Sequence, residues 1–189
     1  MEILTKEEFI EKKAFYLEEI ANGKIFIYPT DTIYGLGCDA TNQQAIKKIR
    51  EIKQRDEKPF SIIAPNKTWI NLNCNANPLA IKWINKLPGP FTLILNLKNN
   101  TLPKEINNNL NTLGVRIPDN WFAKAIEKTK KPFITTSVNL AGEKPMAKID
   151  DLNNSIKSKI DYLIYEGPLN NSPSTIIKLI DNKEEIINR

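Results

Sequence analysis

With 189 residues, 41% apolar and 26% charged, the chain has the size and balance of one globular domain with its own core. Its 27 Lys and Arg against 22 Asp and Glu leave a net charge of +5, which favours polyanionic partners such as nucleotides or RNA without selecting among them. Histidine is absent, and that excludes a Ser-His-Asp triad, histidine-ligated zinc and a histidine general base. The groups that remain are carboxylates, Lys, Arg, hydroxyls, backbone amides and borrowed metal ions. That inventory suits phosphoryl or nucleotidyl transfer, where positioning and charge neutralisation do most of the catalysis. Cys38 and Cys74 form neither a disulfide framework nor a cysteine zinc site. No stretch has the apolar length of a membrane span, and the first residues run into a charged helical pattern rather than a signal peptide, so a cytoplasmic protein with no membrane association is expected.

Taken in order, Thr5-Lys6-Glu7-Glu8 has the form of a capping box and predicts a helix over residues 5–22, anchored by Phe9, Ala14, Tyr16, Leu17 and Ile20. Asn22-Gly23 ends it, and residues 24–28 read as a short buried strand. Directly after comes Pro29-Thr30-Asp31-Thr32-Ile33-Tyr34-Gly35-Leu36-Gly37, with three hydroxyls, one carboxylate and two glycines. It reads equally as a binding loop and as a tight connection whose Thr and Asp side chains satisfy local backbone groups.

Ala45, Ile46, Ile49 and Ile52 recur at helical spacing and predict a helix over residues 43–53 that exposes Lys47, Lys48 and Arg50. That helix delivers Lys53-Gln54-Arg55-Asp56-Glu57-Lys58-Pro59-Phe60, three cations within six residues where a proline stops the pattern. Such a corner can close around phosphates, and a solvated charged face is the plain alternative. Residues 61–64 read as a strand, 78–87 as a helix, and 91–97 as a strand after Pro88-Gly89-Pro90. Trp69 and Trp83 stand in apolar settings as core anchors, and the Asn-rich stretch 99–111 reads as loop.

Residues 112–117 form a further candidate strand that ends in Arg116 before Pro118, either a cation placed for a site or one half of a surface ion pair. A helix over 120–129 and a strand over 133–137 follow, the latter running into Ser137-Val138-Asn139-Leu140-Ala141-Gly142, a hydroxyl and an amide before a glycine turn. A helix over 150–159 and strands over 162–165, 174–180 and 185–188 complete the chain. Strands and helices without strict alternation, and no internal repeat, favour one α/β (α+β) domain with a mixed sheet.

Several of these segments together resemble the YrdC-like domain of threonylcarbamoyl-AMP synthases, along nearly the whole of residues 1–189. The resemblance rests on six motifs in the family's order. They are the 29–36 loop, Lys53-Gln54-Arg55 with Lys58, Pro88-Gly89-Pro90-Phe91-Thr92-Leu93, Val115-Arg116-Ile117-Pro118, Ser137-Val138-Asn139-Leu140-Ala141-Gly142 and Ser174-Thr175-Ile176.

The resemblance implies a single YrdC-like domain of the short form, with a twisted mixed sheet, flanking helices and a concave basic face that holds the site. It implies an enzyme that joins L-threonine, bicarbonate and ATP, accompanied by Mg2+, into threonylcarbamoyl-AMP and pyrophosphate. The product would pass to a tRNA threonylcarbamoyl-transfer complex. By the same resemblance Lys53, Arg55 and Lys58 would hold the triphosphate, with Lys53 and Arg55 catalytic. Thr32, Arg116, Ser137 and Ser174 would contact threonine or its carbamate, and Thr112, Asn139 and Arg189 would lie on the nucleotide side. Related folds suggest two alternatives: a paralogue that binds double-stranded RNA or tRNA without synthesis, and a carbamoyl-adenylate former like the hydrogenase-maturation proteins.

Overall fold

The computed structural model describes residues 1–54, 58–99 and 102–188. The capping box forms as expected: Glu8 N donates to Thr5 Oγ1 at 3.2 Å, and Thr5 N donates to Glu8 Oε2 at 2.7 Å. The helix it opens is broken, however, at Lys12 (φ −104°, ψ 30°) into α1 (Lys6–Glu11) and α2 (Lys13–Ala21). The break coincides with Phe9 stacking on Tyr16 at 5.3 Å while its edge meets Trp121 and Phe122, so tertiary packing overrides a pattern that read as one helix. The residues ahead of the box are likewise a strand and not a lead-in to helix. They form β1 (Glu2–Leu4), which pairs in parallel with β8 (Tyr162–Ile164), a partner too distant in sequence to leave a local signal.

One mixed sheet of ten strands organises the described residues, in the order β1, β8, β2 (Phe26–Tyr28), β3 (Gly35–Gly37), β7 (Phe133–Ser137), β4 (Ser61–Ile63), β6 (Thr112–Arg116), β5 (Phe91–Asn96), β9 (Thr175–Ile180) and β10 (Lys183–Ile187). The C-terminal part of the 29–37 loop is thus a strand, antiparallel to β2 through Tyr28↔Gly35. The remaining helices are α3 (Gln43–Lys53), α4 (Lys67–Asn73), α5 (Pro78–Asn85), α6 (Trp121–Glu127) and α7 (Asn154–Lys157). α4 had no counterpart in the sequence reading, and the expected 150–159 helix is a 3-10 turn (Ile149–Asp151) followed by α7. From α3 to α7 each of the five starts at an asparagine, Asn42, Asn66, Asn77, Asn120 or Asn153, whose side-chain oxygen accepts a first-turn amide.

Alternation along the strands divides the interior. Ile27, Leu36, Ile62, Leu93, Val115, Ile134 and Ile177 point into the larger core beneath α3 and α5. Phe26, Tyr28, Ile63 and Phe133 point the other way, into an aromatic core with Phe9, Tyr16 and Phe122. On that second face the apolar cover ends partway along the strands. Beyond Ile63, Phe133 and Arg116, the register continues to Ser61, Thr135 and Gly114, so hydroxyls replace apolar side chains and a cleft takes the place of the core.

Candidate active site

Arg116 is the last residue of β6 and is met there by the loop over residues 29–34. Its Nη2 donates to Asp31 Oδ1 at 2.6 Å and to Thr32 Oγ1 at 3.2 Å, and Thr32 Oγ1 lies 2.9 Å from Thr30 Oγ1. The arginine is 6% exposed, so the surface ion pair that the sequence allowed is a buried one. Burial pulls the guanidinium pKa down and the Asp31 carboxylate pushes it back up, and the group stays cationic.

At the far end of the cleft, Ser137 closes β7 opposite Gly35. Lys53, the last residue of α3, is 2% exposed and reaches the end of β7. Its Nζ donates to Ser137 O at 2.6 Å, Asn139 O at 2.5 Å and Asn139 Oδ1 at 2.7 Å, while Ser137 Oγ donates to Asn139 Oδ1 at 2.6 Å. The amide nitrogen of Asn139 donates to Glu143 O at 2.6 Å. A buried cation thereby shapes the 137–143 turn. On the third side, Ser174 Oγ and Thr92 Oγ1 lie 2.7 Å apart, both buried. Between these groups lies a cleft of about 270 Å³ with Thr30, Ser61, Thr92, Thr135, Arg116, Ser137 and Ser174 in its wall and Tyr34 and Phe60 as its aromatic sides.

The structure therefore brings Arg116, Ser137 and Ser174 to one cleft and sets Thr32 behind Arg116 and Lys53 with Asn139 behind Ser137. Thr112 lies at the opposite end of β6 from Arg116, where its carbonyl accepts from Asn107 Nδ2 at 3.1 Å. Lys58 is exposed, two residues before the wall residue Phe60. Arg55 and Arg189 lie outside the described residues. Arg50, expected in solvent, is half-buried: its Nε donates to Glu105 O at 2.7 Å and its guanidinium covers the Phe60 ring at 4.6 Å.

A family model described as Telomere recombination (Sua5/YciO/YrdC) matches residues 18–189. The chain belongs to the Sua5/YciO/YrdC family. A relative from Methanocaldococcus jannaschii described as a putative threonylcarbamoyl-AMP synthase is 39% identical over 183 residues, 95% of this chain and 86% of its own length. A threonylcarbamoyl-AMP synthase of Marinobacter nauticus is 30% identical over 173 residues, 88% of this chain and 90% of the relative. The crystal structure of P. abyssi Sua5 complexed with L-threonine superposes with a TM-score of 0.86 at 25% identity, over 98% of this chain. The chain spans 56% of that Sua5 chain, little more than half its length.

In this Sua5/YciO/YrdC chain several wall residues escaped the sequence reading. Thr92 lay inside a quoted motif but had no partner visible in sequence, since Ser174 is 82 residues away, whereas Thr30 bonds locally to Thr32 and Ile33 O. Ser61 and Thr135 are brought together by register alone. Tyr34 Oη donates to Gly167 O at 2.7 Å and accepts from Glu166 N at 3.0 Å, and burial pushes its phenol up to about 12. The wall supplies hydroxyl oxygens but, among the described residues, no carboxylate. That donor set fits a magnesium ion carried on nucleotide phosphates with its own waters better than a resident metal cage.

Proposed function

We propose that this chain is a threonylcarbamoyl-AMP synthase, condensing L-threonine, bicarbonate-derived carbon dioxide and ATP into threonylcarbamoyl-AMP and pyrophosphate. The observation that carries the reading is the 39% identity to a relative of that description across 95% of the chain. The cleft supports it chemically. A buried arginine, the one charged side chain of the wall among the described residues, faces a pocket lined by hydroxyls and by apolar residues such as Phe60, which is suited to a carboxylate-bearing amino acid rather than to a nucleic-acid backbone. In the reaction the neutral threonine amine adds to carbon dioxide and loses a proton to solvent, and the resulting carbamate oxygen attacks the α-phosphorus as pyrophosphate leaves. None of these steps needs a histidine, only alignment and cations.

Arg116 would take the threonine carboxylate, with Ser174 and Ser137 fixing the amino acid beside it. Arg55 and Lys58 would hold the triphosphate, and Lys53 would act on it through the turn that presents Asn139. Thr112 and Arg189 complete the proposed nucleotide side. Magnesium would neutralise the phosphates. Bicarbonate, a downstream tRNA threonylcarbamoyl-transfer complex and the cytoplasm, where ATP and tRNA occur together, complete the reading of this YrdC-like domain. Any direct contact with tRNA or double-stranded RNA would draw on the surplus of cations, +5 over the chain.

Pyrophosphate release from ATP with magnesium and bicarbonate, measured with and without threonine, tests the proposal. Threonine-dependent release is expected, and Arg55→Ala should abolish most of it, because it removes charge stabilisation from the triphosphate. Lys67→Ala, outside the cleft wall with its ammonium on Asn85 O, should leave the rate unchanged. Threonine-independent release, or full turnover in Arg55→Ala, contradicts the assignment.

A further inference from the structure

Asp31 stands in none of the proposed ligand contacts, yet at 2.6 Å it makes the shorter of the two bonds to the buried Arg116 of the cleft. The two side chains keep 7% and 10% of their surfaces exposed, and Asp31 is not part of the cleft wall. Its oxygens have separate tasks: Oδ1 accepts from Arg116 Nη2 at 2.6 Å, and Oδ2 accepts from the Asp119 amide at 3.0 Å. One carboxylate therefore ties the 29–34 loop to the turn after β6 and holds the guanidinium between them.

The hydroxyls on the other side of Nη2 can be oriented by counting protons. Thr30 Oγ1 donates its proton to Ile33 O at 2.7 Å. In the 2.9 Å contact between the two threonines, Thr32 must then be the donor. Thr32 Oγ1 has only acceptor capacity left for Arg116 Nη2 at 3.2 Å. Both protons of Nη2 are thereby committed, one to Asp31 and one to Thr32, whereas Nε is buried with no partner. The guanidinium is anchored through a single nitrogen while its side chain lines the cleft. A charged fork held at one corner pivots unless its anchor is strong, and a carboxylate at 2.6 Å is the strongest anchor present.

We propose that Asp31 is a positioning residue which presets the Arg116 guanidinium, by fixing Nη2 and countering its charge, for the carboxylate of the amino-acid substrate. The inference rests on the synthase reading for the identity of that substrate. Thr32 acts with Asp31 as the weaker half of the anchor.

Asp31→Asn keeps the shape and removes the charge, and two readouts separate positioning from general support. Nitrogen-resolved NMR of the Arg116 side chain reports the anchor without any activity. Separate Nη signals from a hindered guanidinium are expected in the natural protein and merged ones in Asp31→Asn. The KM for threonine should rise roughly 10- to 100-fold, the worth of one charge-assisted hydrogen bond, while the KM for ATP stays put. Asp31→Glu retains the charge but displaces it, so it should fold even if Asp31→Asn does not, and its threonine KM should fall between the two. Unchanged Arg116 signals in Asp31→Asn, equal rises in both KM values, an unchanged threonine KM in Asp31→Glu, or tighter threonine binding in Asp31→Asn each overturn the proposal. The last would make Asp31 a competitor of the substrate. Absence of threonine-dependent turnover in the natural protein would instead sink the synthase reading, and the Arg116 signals would still decide whether Asp31 sets the guanidinium.

Discussion

Lys53 illustrates how a residue's type can be legible while its partners are not. The sequence placed a cation at the end of α3 and read it as part of an anion-gripping corner. In the structure all three ammonium protons have protein acceptors, Ser137 O, Asn139 O and Asn139 Oδ1, on a turn 84 and 86 residues away. Lys53→Met should therefore lower stability by about 2–4 kcal/mol, since it strips a charged donor from buried carbonyls, and denaturant unfolding measures it. Pyrophosphate and threonine binding should weaken together, because the turn shaped by Lys53 holds both Ser137 and Asn139. A loss confined to the nucleotide would mean that the ammonium leaves the turn to grip phosphate directly. Arg116 was legible in the same partial way. The motif marked it, but burial and the Asp31 contact depend on a loop 85 residues earlier.

At the scale of elements, the readings that succeeded rest on local chemistry. α3 follows from the spacing of Ala45, Ile46, Ile49 and Ile52, all buried, and β7 spans Phe133–Ser137 as expected from its apolar run. β1 and α4 were missed because β1 owes its existence to β8, and α4 offers little periodicity beyond the cap at Asn66. The asparagine caps were available as a signal and went unused. Asn120 is the most consequential of them: Oδ1 accepts from Ala123 N at 3.0 Å while Nδ2 donates to Pro29 O at 2.6 Å, joining α6 to the start of the 29–34 loop. Asn120→Ala should cost about 1–2 kcal/mol of stability and raise the KM for threonine more than that for ATP. Equal kinetics in the variant would separate the cap from the site. β3 has no such tolerance. A Cβ at Gly37 would fall 1.9 Å from Ile134 O, so Gly37→Ala should fail to give folded, soluble protein, and a native-like circular dichroism spectrum would contradict that.

For the molecule as a whole, the sequence indicated a mixed α/β sheet but not its ten-strand order, because order is set by pairings far apart in the chain. The position of the cleft follows from that order. It forms where β4 and β7 carry hydroxyls, and β6 a glycine and Arg116, on a face that elsewhere bears aromatic residues. The same dense interior sets an alkaline limit. Burial raises the Cys38 thiol and the Tyr28 phenol, and pushes Cys74 and Tyr34 up to about 12, from ordinary values of 9.0 and 10.0. The folded state keeps these protons while the unfolded chain loses them, so this contribution to stability is full below about pH 9 and declines as pH climbs towards 12. Tm should fall steadily from about pH 9 to about pH 11, and a flat profile would show that these groups ionise without unfolding. The central claim concerns the product of the cleft. The most direct measurement is mass detection of the adenylate formed from ATP, threonine and bicarbonate bearing heavy carbon. An AMP adduct that contains threonine and carries the heavy carbon is the expected result. An adduct that forms without threonine, or one that lacks the heavy carbon, would contradict it.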